Sequence, residues 1–201
     1  MAYEHLIRHK NAFIFEFDDV LYPERDYLLQ VYYLFAQFME YTEQLPAADM
    51  VAFMKKRFEA HGPADIFAET ASCFGIGAHF RENFDRLHRS AKLPLKLLLF
   101  KDLLVLLQEL VVERKKIWIV TPKDPEQQLN KIRQIEWHGL EKYLEVYFCE
   151  ELNKTPESVY TELIENSGIS AENILLVAGN NFQPAASFPP NLPYIRVKDL
   201  L

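Results

Sequence analysis

The sequence predicts an α/β fold, a five-stranded parallel sheet flanked by helices, with an all-helical insertion after the first strand. Three observations predict it. The run Ala12-Phe-Ile-Phe-Glu-Phe17 is short, apolar and aromatic, as a strand buried on both faces must be. Residues 23 to about 95 place apolar side chains at three- and four-residue spacing and contain no strand-like run. From residue 96 onward, helical and strand-like stretches alternate, the rhythm of right-handed crossovers in a sheet covered on both faces.

The elements follow in order. After the strand at 12–17, a helix begins at Pro23, whose missing N–H has no partner to lose in a first turn, and carries Leu28, Val31, Tyr32, Phe35, Phe38 and Met39 on one face. Helices at 47–60, 64–73 and 78–91 come next, punctuated by His61-Gly-Pro63 and Gly75-Ile-Gly77. A helix at 100–113, with Leu103, Leu106, Leu107 and Leu110 on one face, leads to a strand at 117–121 and a helix at 124–136. Strands at 145–149, 174–178 and 194–197, with a helix at 156–166, complete the pattern. The organisation expected is a core domain of residues 1–22 and 96–201 interrupted by a helical domain of residues 23–95.

Composition narrows the function. The chain has 201 residues, 49% hydrophobic and 25% charged, the make-up of an ordinary globular protein without disordered stretches. A formal net charge of −7 argues against nucleic acid or an anionic membrane as partner, since both are bound through clustered Lys and Arg. Cys73 and Cys149 stand alone, so neither a disulfide framework nor a zinc site is expected, and both read as small buried hydrophobes. The N-terminal MAYEHLIRHK has no apolar stretch of signal-peptide length, and the richest apolar run, Leu93 to Val112, is interrupted by Lys96, Lys101, Asp102 and Glu109. A soluble, cytoplasmic protein is expected.

Ligands of an open parallel sheet bind outside the carboxyl ends of its strands. Those ends deliver Glu16, Asp18 and Asp19 from the first strand, Thr121 from the second, Lys154 after the third, and Gly179-Asn-Asn-Phe-Gln-Pro184 after the fourth. A hydroxyl, an ammonium and a carboxylate cluster suit a phosphate-handling site. Other features read as structural: His138 has no acidic or cysteine partner near it in sequence, and Tyr27, Tyr32, Phe35, Phe38 and Tyr41 form a packing face. Gly75-Ile-Gly77 lacks the preceding strand that a dinucleotide loop requires.

Taken in order, the Glu16-x-Asp-Asp-Val-Leu-Tyr-Pro23 motif, the helical insertion, Ile119-Val-Thr121, Lys154 before Pro156, and Leu175-Leu-Val-Ala-Gly-Asn-Asn181 resemble the haloacid dehalogenase (HAD) superfamily, in its phosphatase-like branch with a helical cap. The resemblance runs from Phe13 to Val197 and implies a Rossmannoid core. In active members the first motif is Asp-x-Asp, whose first Asp attacks phosphorus and binds Mg²⁺ while the second serves as general acid and base. Those positions are Glu16 and Asp18 here. The resemblance makes Thr121 and Lys154 the phosphate-binding residues, and Glu16, Asp18 and Asn180 the remnant of a metal site.

Several positions depart from that pattern. Glu16 moves its carboxylate by one methylene, on the order of 1 Å, and a misplacement of that size can cost roughly 10²-fold in rate. Asn180 and Pro184 stand where further metal-binding acids belong, although Mg²⁺ is held through carboxylates whose loss removes several kcal/mol of charge stabilisation. Pro122 has no N–H to offer a phosphate, and Lys123 could compensate only by charge. The first reading is therefore a HAD-like pseudoenzyme with a degenerate site, inactive or very weak as a phosphatase, retaining at most the binding of a small phosphorylated molecule or inorganic anion, or acting through a protein partner. The alternative is an active phosphatase on a small phosphorylated metabolite, with Mg²⁺ as cofactor and Glu16 as nucleophile. A third is a structural subunit that associates through the exposed face of its helical domain.

Overall fold

The apolar run after Asn11 forms strand β1 (Ala12–Phe15), and all four of its side chains are fully buried, as their uninterrupted hydrophobicity requires. In this computed structural model, which describes residues 3–201, a short helix α1 (Glu4–Ile7) precedes it. The first two residues of the expected core domain and of the MAYEHLIRHK stretch lie outside the described residues. The remaining strands are β2 (Lys116–Thr121), β3 (Leu144–Phe148), β4 (Ile174–Ala178) and β5 (Tyr194–Arg196). They form one five-stranded sheet in the order β3-β2-β1-β4-β5, with every neighbouring pair parallel.

The chain divides into two compact units: one comprising the chain up to Pro23, Leu97–Gln128 and Ile135–Leu201, the other Glu24–Lys96 with Leu129–Gln134. In the sheet unit, side chains alternate between faces. Ala12, Ile14, Trp118, Val120, Ile174, Leu176 and Ala178 pack on Val159, Tyr160 and Leu163 of helix α8 (Pro156–Ser167). The opposite set, Phe13, Phe15, Ile117, Ile119, Leu175 and Val177, is also buried, as are Leu103, Leu106, Leu107 and Leu110 of helix α6 (Lys101–Val112), which contacts β2.

The helical unit is built from α2 (Glu24–Glu43), α3 (Ala47–His61), α4 (Ile66–Phe74) and α5 (Arg81–Ser90), with the last six residues of α7 (Pro125–Gln134). Its core is aromatic. The Tyr32 and Phe84 rings stack at 6.2 Å, and Phe35 meets Phe84 edge-on at 5.0 Å. Among these side chains, Lys131 is 0% exposed, with Nζ 2.9 Å from Glu24 and 4.7 Å above the Tyr27 ring. Such a burial is tolerated because the charge is paired and the ring face is electron-rich.

Local differences from the sequence reading have local causes. Pro23 sits one residue ahead of α2, and the stretch from 78 opens with a 3₁₀ turn (Ala78–Phe80) before α5. Tyr41 is 89% exposed, because the buried stripe of α2 ends at Met39. Cys149 is buried as expected, but Cys73 is exposed: the stripe of α4 runs through Ile66, Phe67 and Thr70 and passes it by. Gly75 ends α4 in the left-handed conformation, φ +70°, which explains that glycine without any ligand. Among the described residues, no helix is long and apolar enough to cross a membrane.

Candidate functional site

The carboxylates after β1 are placed by the strand itself. The Glu16 N–H still donates to Val177 O at 3.1 Å, so strand alternation continues and carries Glu16 onto the face of Ile14 and α8. There its Oε2 accepts the Gly179 N–H at the end of β4, 2.7 Å away, and the Tyr160 hydroxyl bonds the same carboxylate. Burial raises the Glu16 carboxyl above the usual carboxylate range and Glu157 adds to the rise, against the lowering effect of the Gly179 and Tyr160 bonds. Burial and the Glu16 charge push the Tyr160 phenol upward in turn. Glu16 thus ties β1 to β4 and α8.

Past Phe17 the chain turns sharply, with Asp19 in the left-handed region at φ 57° and the Leu21 N–H closing on Phe17 O at 3.1 Å. The turn aims Asp18 at three donors. Its Oδ1 accepts the Tyr22 hydroxyl at 2.6 Å, and its Oδ2 accepts Gln128 Nε2 at 2.7 Å and Lys123 Nζ at 2.9 Å. Gln128 is presented by the first turn of α7, where Asp124 Oδ1 accepts the Gln127 N–H at 2.7 Å and so caps the helix. Because a carboxylate only accepts, the Gln128 amide must point its nitrogen at Asp18, and its Oε1 is left buried without a partner.

The other expected site residues go different ways. Thr121 stands at the end of β2, buried, its carbonyl accepting the Cys149 N–H at 2.9 Å. Lys154 pairs with Glu162 of α8 rather than with the carboxylates after β1. The Lys154-Thr-Pro156 sequence that marked it is a helix start: Thr155 Oγ1 accepts the Ser158 N–H at 3.3 Å and Pro156 occupies the first turn. Asn180 Oδ1 accepts the Lys198 N–H at 3.0 Å. Lys123 does supply a charge, and it supplies it to Asp18. Among the described residues, no group of three or more His, Cys, Asp or Glu is arranged to hold a metal ion.

The sequence reading missed Tyr22, Gln128 and Tyr160. Only Tyr22, four residues beyond Asp18 in a tight turn, carried a local signal. Gln128 and Tyr160 reach the carboxylates through tertiary packing alone.

No protein-family model and no curated protein matches the chain. Solved structures do. A protein assigned as a β-phosphoglucomutase from Thermotoga maritima matches with a TM-score of 0.59 at 15% identity, over 94% of this chain and 96% of that one. An L-2-haloacid dehalogenase matches with a TM-score of 0.54 at 13% identity, over 92% and 83% of the two chains. A HAD family hydrolase from Deinococcus radiodurans R1, solved with bound phosphate and sodium, matches with a TM-score of 0.52 at 14% identity, over 93% and 79%. At such identities the likeness is one of fold. The chain has the α/β fold of the haloacid dehalogenase-like superfamily.

Proposed function

We propose that this chain is a HAD-fold pseudoenzyme, its phosphoryl-transfer site closed by internal bonds. One observation carries the reading: both oxygens of Asp18 are occupied by Tyr22, Gln128 and Lys123. An acid–base catalyst must be within hydrogen-bond reach of the proton it moves. Here a leaving group or water would have to compete with those donors for the carboxylate. Glu16, at the nucleophile's position, is likewise drawn onto Gly179 and Tyr160.

The residues present do not fit Mg²⁺. The ion needs near-octahedral oxygen ligation that includes carboxylate. Asp18 already faces the Lys123 ammonium, which neutralises it where a metal would, and Asn180 accepts a backbone N–H. Pro184 has no side-chain donor. Of the two phosphate anchors implied by the resemblance, Thr121 keeps its strand-end position and Lys154 is held by Glu162.

Initial rates of phosphate release from a broad phosphomonoester panel, with and without Mg²⁺, test the reading on wild type and Asp18→Asn in parallel. The expected outcome is no metal-dependent turnover above the variant. Turnover that requires Mg²⁺ and disappears in Asp18→Asn would overturn it and restore the phosphatase reading, with Glu16 as nucleophile.

A further inference from the structure

The helical unit contains a cavity of about 460 Å³ between the segment Ser90–Lys96 and residues Asn130, Arg133 and Gln134 of α7. That volume is within the range of small-molecule sites. Lys92, Lys96 and Arg133 all line it, and no carboxylate does. None of the three has a carboxylate partner within ion-pair distance among the described residues. In a chain of net charge −7, the exclusion of acids from this wall stands out.

The wall is also held in place. Gln134 Oε1 accepts the Leu93 N–H at 2.5 Å, while Gln134 Nε2 and Asn130 Nδ2 both donate to Ala91 O, at 3.0 and 2.9 Å. Gln30 Oε1 accepts the Leu95 N–H at 2.8 Å. These four bonds fix the backbone of the segment that carries Lys92 and Lys96, so a ligand would have to order side chains but not the segment itself.

We propose that this cavity binds a small polyanion of the diphosphate class, a compact group with two or more negative charges. Three cations lining one pocket match its charge, and Leu93, Pro94 and Leu95 offer an apolar strip for a small organic substituent. A nucleic acid needs an extended basic track, and three cations around one open pocket on an acidic protein supply none. The pocket shares no residue with the carboxylates after β1, and the proposal does not depend on whether they turn over.

Calorimetric titration with inorganic pyrophosphate at low salt tests it, using wild type, the triple variant Lys92→Gln/Lys96→Gln/Arg133→Gln, Arg133→Glu alone, and Lys123→Gln. The expected result is saturable one-to-one binding that weakens at least tenfold in the triple variant and in Arg133→Glu, declines with added salt, and persists in Lys123→Gln. All three substituted cavity residues are exposed, and an unchanged melting temperature without ligand verifies folding. Absence of saturable binding to wild type, or equal affinity in folded cavity variants, would overturn the proposal. So would loss in Lys123→Gln with retention in the triple variant, which would place the anion beside Asp18.

Discussion

At position 16 the extra methylene of glutamate spans the distance from β1 to the Gly179 N–H on β4 and to Tyr160 on α8, so the longer side chain serves as a structural tie. The tie has a cost that depends on pH. Burial raises the folded-state pKa of Glu16 above its unfolded value, so protonation favours the folded chain. The group's contribution to stability therefore improves as pH falls through the folded value, and levels off below the unfolded one. Above the folded value the ionised, half-buried carboxylate is a net burden. Glu16→Gln removes that titration and keeps an acceptor for Gly179, and it should raise the melting temperature at pH 7 by about 2 °C or more. Thermal unfolding of both proteins across pH checks this: the gap should close on acidification through the Glu16 titration. A gap constant with pH would show that the ionised form carries no burial penalty.

Within the helical unit, α2 and α7 are joined by a charge pair of unequal burial: the Lys131 side chain is 0% exposed and Glu24 is 19% exposed. Removing the partner of the more buried charge is the more damaging change. Glu24→Leu should cost about 3–5 kcal/mol by urea unfolding, since the ammonium would be left above Tyr27 without its counter-charge. Lys131→Met should cost less, because Glu24 retains contact with water, and the double variant should recover most of the larger loss. Additive losses would mean that the pair is not coupled. No periodicity announced this pair. Element positions were legible because apolar spacing reports the period of helix and strand, and the placement of Glu16, Asp18 and Thr121 at strand ends follows from those positions. Side-chain partners were not. Asp18 and Gln128 lie 110 residues apart, while Lys154 turns to Glu162, eight residues on, because α8 brings it within reach. Cys73 and Tyr41 fall just outside their helices' buried stripes, an angular detail finer than spacing alone resolves.

For the molecule as a whole, the decisive feature is that its earliest strand is its central one. β1 pairs with β2 in the register Ala12↔Lys116 and with β4 in the register Ala12↔Ile174, so both neighbours come from chain more than a hundred residues away. Non-local parallel pairings must bear loop-closure entropy before any contact rewards them. Once formed, however, β1 is covered on both faces and flanked on both edges, and it cannot open without dismantling the sheet. Its hydrogen-bonded amides should exchange only through global unfolding, with protection equal to the full stability of the sheet unit. β5 is the opposite case: three residues at the sheet edge, with Tyr194 40% exposed. Its amides should exchange through local fraying at a smaller free energy, with β2 and β4 ranking above the edge strands β3 and β5. Native-state hydrogen exchange across low urea concentrations measures this order. The steepest urea dependence should belong to Phe13–Phe15 and the shallowest to the edge strands, because urea sensitivity scales with the surface an opening exposes. Equal protection of β1 and β5 would mean that the sheet opens as one unit and that the central position of the first strand confers no added stability.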